Sequence, residues 1–180
     1  MRACRGLPSL RKQIVFKDVR RALGAASHGW FRLVHFSVQA DHVHLVVEAH
    51  DKEALTRGMA GLAIRVARAV NRRVRRRGHV WSDRYHARPL RTPREVRRAI
   101  VYVLTNWRKH VPTARDIDPC SSSRWFDGWK HPPFSNPPGG DIPVVRARTW
   151  LGHTGWRRWG LVLVTERPKP SPDRVHEWID

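Results

Sequence analysis

Acid, cysteine, tyrosine and long apolar runs are all in short supply in this 180-residue chain. Asp and Glu number 15 against 35 Lys and Arg, a formal charge of +20 that is far from that of an ordinary enzyme of small molecules. Such a field attracts polyanions: nucleic acid first, with an anionic membrane or a ribosomal role giving the same count. Cys4 and Cys120 are the two cysteines, too few for a disulfide framework or a cysteine metal site. No apolar run is long enough to span a bilayer, and basic Met1–Arg5 lacks the hydrophobic stretch of a signal peptide, so a cytoplasmic location without membrane contact is expected. With only two tyrosines, Tyr85 and Tyr102, few phenols compete for a chemical role.

What is present is Arg, Trp and a clear order of periodicities. Guanidinium forks suit phosphate contact, although codon usage in a GC-rich genome also raises Arg. From Leu10 to Ala26 the apolar spacing predicts a helix closed by Gly29, and β-branched and aromatic residues then predict strands over Phe31–Gln39 and His42–Ala49 joined by a short hairpin loop. Asp51 is placed to cap a long amphipathic helix running to Gly78. On its flank Arg65, Arg68, Arg72 and Arg75 form a basic ladder, read either as a phosphate track or as a solvated face. His79–Leu90 reads as a further strand. Thr92-Pro93-Arg94-Glu95 is a capping box with Pro at the first helical position, opening a helix to about His110 that Pro112 ends.

The composition then shifts to Pro, Gly, Ser and Trp, so the chain divides into a domain over residues 1–112 and an irregular extension over 113–180 packed on it. Pro137-Pro138-Gly139-Gly140 typifies that extension, which carries Trp125, Trp129, Trp150, Trp156, Trp159 and Trp178. These tryptophans either cover the domain surface or stack on unpaired bases.

The chemistry concentrates at His42-Val43-His44. Strand alternation puts both imidazoles on one face, a half-site for a divalent ion. Tyr102 and Asn106, four apart on the capped helix, share a face that lies roughly 80–120° from the centre of the apolar stripe, off the expected core. A phenol attacking a phosphodiester yields an ester of similar energy, so a cut of this kind reseals without ATP. Asn106 offers a side-chain carbonyl as a third ligand, and a metal on this set would act as a Lewis acid on the phosphate. A zinc hydrolase on the same histidines lacks a third nitrogen or sulfur ligand at fixed spacing.

Four stretches in this order, FSVQADHVHLVVEA, LTRGMAGLAIRVARAVNR, GHVWSDRYHARPLRTPREVRRAIVYVLTNWRKH and more loosely TWLGHTGWRRWGL, resemble the HUH-type single-tyrosine transposases of small bacterial insertion sequences, and more closely their REP-associated branch. The resemblance is strong over about Phe31–His110. It implies an α+β fold, an antiparallel sheet with packed helices of the ferredoxin-like HUH kind, and metal-dependent cutting and rejoining of single-stranded DNA beside hairpins. It further implies Mg2+ or Mn2+ on His42, His44 and Asn106, with Tyr102 as the nucleophile taking the 5′-phosphate and the protein acting as monomer or homodimer. Nucleic-acid contacts are expected at Arg65, Arg68, Arg72, Arg75, Arg84 and position 99.

Two departures stand out. Related enzymes often place Gln where Asn106 stands. They also begin with a strand for which Met1–Cys4 is too short, so the first strand is expected to be missing, through a late start or a truncated copy with an exposed sheet edge. The contrasting reading is a protein that binds single-stranded DNA or RNA hairpins and has lost the cutting step.

Overall fold

The computed structural model describes residues 1–109, 111, 116–134 and 140–168. Its centre is a two-stranded antiparallel hairpin, β1 (Phe31–Val38) and β2 (Val43–Ala49). Helices α1 (Gln13–Gly24) and α2 (Lys52–Arg73) lie on one face, and α3 (Pro93–Thr105) lies on the other. The architecture is therefore α+β, an antiparallel sheet with packed helices.

The register explains how one hairpin serves two layers. Phe31 pairs with Ala49 and Leu33 with Val47, but His35 then pairs with Val46, leaving Val34 as an extra residue in a bulge. The bulge shifts the phase of β1 by one residue. Phe31, Leu33, Phe36 and Val38 thereby join the core under α1 and α2, where they meet Val19, Leu23, Leu62, Val66 and Val70. Each of these residues is fully buried. At Gly58 the backbone of α2 comes so close to Phe31 that a Cβ there would sit 2.2 Å from the ring. On β2 the unbroken alternation sends Val43, Leu45 and Val47 to the same core and turns His44 and Val46 toward α3.

The sheet extends outward through single bridges. On the open edge of β2, Val43 N–H donates to Met1 O at 2.9 Å and Ala3 N–H to Asp41 O at 2.6 Å. Beyond it, Cys4 N–H donates to Val80 O and Ser82 N–H to Arg2 O. Met1–Cys4 thus lies as a short extended piece where a first strand was expected to be missing. On the edge of β1, Val38 N–H donates to Cys120 O, and Ser37 bridges Ser121.

Helix boundaries follow local chemistry. Asp51 caps α2, its Oδ1 accepting from Ala54 N–H at 2.7 Å, and Thr92 and Glu95 close the capping box of α3. The helix expected from Leu10 runs only from Gln13 to Gly24, so Gly29 lies beyond its end. α2 ends at Arg73, not Gly78, because the arginines that follow give it no apolar face to bury and repel one another at helical spacing; Arg75 has already turned into the left-handed region with φ 53°. The strand expected over His79–Leu90 is not formed: only Val80–Ser82 find backbone partners, and residues 83–89 are largely exposed, irregular chain. α3 ends at Thr105 and tightens into a 3-10 turn over Asn106–Lys109, while His110 and Pro112 lie outside the described residues.

Among the later residues, short helical turns at Ser122–Trp125, α4 (Trp150–His153) and Gly155–Trp159 pack against the hairpin and α3. Trp129 and Trp156 are buried beside Phe126 and Ile100, whereas Trp150 and Trp159 are half exposed. Trp178, Pro137, Pro138 and Gly139 lie outside the described residues. No described helix is long and apolar enough to cross a membrane.

His35 faces this aromatic layer, edge-on to Phe126 at 5.3 Å between ring centroids, and burial pushes its pKa down from 6.5 to about 4. At this group the folded protein therefore binds fewer protons than the unfolded chain between those values, so the contribution of His35 to stability is constant well above pH 6.5 and falls as pH drops toward 4. Urea unfolding is expected to show His35→Gln losing about 2 kcal/mol less than the parent between pH 7 and pH 5. Equal losses in the two proteins would show that His35 is not the proton acceptor.

Candidate functional site

His42 and His44 flank Val43 at the start of β2, and because Val43 is buried toward α1 and α2, both rings project to the α3 side. Their Nε2 atoms are 3.0 Å apart. His42 Nδ1 lies 2.6 Å from Asp41 Oδ1. A carboxylate can only accept, so His42 carries its proton on Nδ1 and its Nε2 lone pair is turned to His44. The hydrogen bond from His42 holds the Asp41 carboxyl below the usual carboxylate range.

α3 brings the phenol to the same place. Val96, Ile100, Val103 and Leu104 bury one side of the helix against the aromatic layer, leaving Tyr102 half-buried. The Tyr102 ring stands edge-on to His44 with centroids 5.0 Å apart and planes at 82°. One turn further, Asn106 begins the 3-10 segment and is 3% exposed, so the position expected off the apolar stripe is inside the protein. Its Oδ1 is buried without a hydrogen-bond partner. A carbonyl in that state is an unused donor of electron pairs, suited to a ligand or a cation.

Those observations bear on a metal. Two imidazole nitrogens bound cis at ~2.1 Å around an octahedral ion sit about 3.0 Å apart, the separation already present between the two Nε2 atoms. The two Nε2 atoms therefore fit such an ion as a pair of cis donors. Among the described residues no group of three His, Cys, Asp or Glu is disposed to hold a metal.

A cleft of about 300 Å³ opens beside His42, lined also by Arg11, Gln39, Asp41 and Trp107. Its floor is tied down by Arg11, which donates to Val38 O at 2.8 Å and grips Asp118 through both Nη atoms. The opposite end of β2 is anchored by Glu48, whose carboxylate accepts from the Arg148 and Thr149 N–H groups and so pins the start of α4 to the sheet.

The expected nucleic-acid contacts fare unevenly. Arg65, Arg68 and Arg72 are exposed on α2, but α2 covers the sheet face opposite to the histidines, so the structure does not bring this ladder to the pair. Arg75 is not part of the ladder, since it lies past the helix end. Arg84 is exposed in the irregular stretch before α3. Position 99 is Ala99, which carries no charge; the neighbouring arginine on the exposed side is Arg98, four residues before Tyr102 and on its ridge. Asp41 and Arg98 were legible as a carboxylate abutting a histidine pair and as a cation one turn from a candidate nucleophile.

Comparison with known proteins adds one positive result: a family model described as "Transposase IS200 like" matches residues 8–103, more than half of the 180. No curated protein and no solved structure matches.

Because an unpartnered buried carbonyl costs about 1–3 kcal/mol, replacing Asn106 by the similarly sized Leu is expected to raise stability by about 1 kcal/mol. Urea midpoints of the two proteins measure it. A clear fall would mean that Asn106 is held by contacts a Leu cannot make, and that its carbonyl is structural.

Proposed function

This chain belongs to the IS200-like transposase family, and from that premise we propose that it cuts and rejoins single-stranded DNA beside hairpins through a covalent 5′-phosphotyrosine on Tyr102. The observation that carries the reading is the meeting of one phenol with two imidazoles: Tyr102 against His44, and His44 against His42, on facing elements. The resemblance of the motif text supports reading the chain as one of the REP-associated branch, and the hairpin with its outlying bridges is read as a reduced ferredoxin-like HUH sheet.

Tyr102 Oη attacks the scissile phosphorus in line with the 3′ oxygen. The Oη–P bond forms as the P–O3′ bond breaks, the phenolic proton is lost, and the departing 3′ oxygen takes up a proton. Reversal by a 3′ hydroxyl rejoins the strand, since the two esters are of similar energy. His42 Nε2, His44 Nε2 and Asn106 Oδ1 would hold Mg2+ or Mn2+. What such an ion supplies when bound is Lewis acidity at a non-bridging phosphate oxygen. Asp41 keeps His42 in the tautomer whose Nε2 is free to bind, a positioning role through His42 Nδ1. Val43, buried toward α1 and α2, and Val46, half-buried against the α3 layer, anchor the strand that carries the rings from both faces.

Incubation with an end-labelled hairpin oligonucleotide and Mn2+ is expected to give a protein-DNA adduct that survives denaturing electrophoresis. Tyr102→Phe abolishes it, while Tyr85→Phe does not. Absence of adduct with any divalent metal, in a protein that still binds the oligonucleotide, would replace this reading with that of a hairpin-binding protein. Direct Mn2+ titration followed by electron paramagnetic resonance is expected to show the affinity of Asp41→Ala lowered by about 10- to 100-fold. An unchanged affinity would remove Asp41 from the site.

A further inference from the structure

The ridge of α3 that carries Tyr102 continues away from the histidines. Residues four apart on a helix stand one above the other, so Arg94, Arg98 and Tyr102 form one row, with Arg94 about 12 Å of helix axis from the phenol. Both arginines are exposed, and no carboxylate among the described residues engages either. The next arginine, Arg97, is used differently: it grips Glu166 and the Gly160 and Leu161 carbonyls and so fastens the later chain to α3.

That fastening brings tryptophan to the end of the row. Trp159 is 54% exposed and lies under the Arg94 guanidinium at 5.3 Å. Trp150, 50% exposed, lies likewise under Arg158 at 5.0 Å. The segment bearing both rings is held from below by Trp156, which is 2% exposed and packed on Phe126. A half-exposed indole costs solvation, and two of them interleaved with guanidinium groups that no carboxylate among the described residues engages match the needs of an unpaired strand: cations for successive phosphates, flat surfaces for successive bases. Double-stranded DNA, whose bases are stacked internally, has no use for the flat surfaces.

We infer that the unpaired flank of the DNA strand runs from Tyr102 along the α3 ridge, its phosphates on Arg98 and Arg94 and its bases stacked on Trp159 and then Trp150. This rests on the reading of Tyr102 as the point where the strand is held. The surface is a track for a single strand, separate from the His42, His44 and Asn106 set.

Fluorescence anisotropy with labelled hairpins tests it, using a short or a long unpaired flank built on the 5′ or the 3′ side. Trp159→Ala and Arg98→Ala are each expected to weaken binding of one long-flank hairpin on the order of 10-fold, with little effect on the short-flank hairpins. Arg98→Ala should also lower the slope of log K against log salt by about 0.7, which Trp159→Ala leaves unchanged, and Trp159→Phe should restore most of the affinity. Equal loss on short and long flanks, or no loss on either, would overturn the track. A thermal midpoint close to that of the parent confirms that Trp159→Ala is folded; were it lower, the Trp159→Phe and Arg98→Ala results decide. The Tyr102 adduct on short-flank hairpins is read out separately: its absence sinks the cleavage mechanism, while a flank-dependent loss still supports the track.

Discussion

Burial of one hairpin on both faces is the constraint from which the rest of the molecule follows. Two strands cannot form a stable sheet alone, and here α1 and α2 cover one side while α3 and the later aromatic residues cover the other. The bulge at Val34 makes this possible. Without the extra residue, Phe36 and Val38 would turn toward α3, and His35 and Ser37 would enter the larger core. With it, β1 supplies apolar residues to one layer and His35, packed on Phe126, to the other. β2 has no such break, and its strict alternation delivers the two histidines to the α3 side.

Polar anchors add to this aromatic packing in fastening the later chain to the hairpin and its helices. Asp118, fully buried, takes both Nη atoms of Arg11; Glu48 receives two backbone N–H groups at the start of α4; Arg97 holds the turn at Gly160. Each anchor pairs a carboxylate or carbonyl with guanidinium or backbone donors, interactions stronger than neutral hydrogen bonds. In a chain with 15 acidic residues against 35 Lys and Arg, committing Asp118, Glu48, Glu95 and Glu166 to such contacts deepens the positive excess of the exposed surface, where Asp41, Asp51, Glu53 and Asp127 remain among the arginines. The net field attracts nucleic acid, and specificity then depends on where flat rings and ordered cations coincide.

The elements most legible in the sequence were those with a local physical cause. The caps at Asp51 and Thr92 were legible because a side chain satisfies a backbone N–H three residues on, and the two strands because β-branched residues alternate around a short loop. Three features were not. The stop of α2 at Arg73 depends on charge repulsion outweighing helix propensity in an arginine run. The failure of residues 83–89 to form a strand depends on there being no partner edge. The burial of Asn106 depends on which residues far away in the chain pack over the end of α3, where Ser123 Oγ donates to Leu104 O.

By itself the amino-acid order determined which residue types were available and which face of each element they occupied: two imidazoles on one side of the β2 strand, a phenol on α3 in line with Arg98 and Arg94, and a surplus of arginine. Those are consequences of fixed periods, two residues in a strand and 3.6 in a helix. Only the tertiary structure decided which faces meet. It set Tyr102 against His44, placed the α2 arginines on the far side of the sheet, seated Met1–Cys4 on the edge of β2, and laid Trp159 beside Arg94. Such meetings depend on packing between residues far apart in the chain, where a single bulge at Val34 changes the partner of every residue that follows in β1.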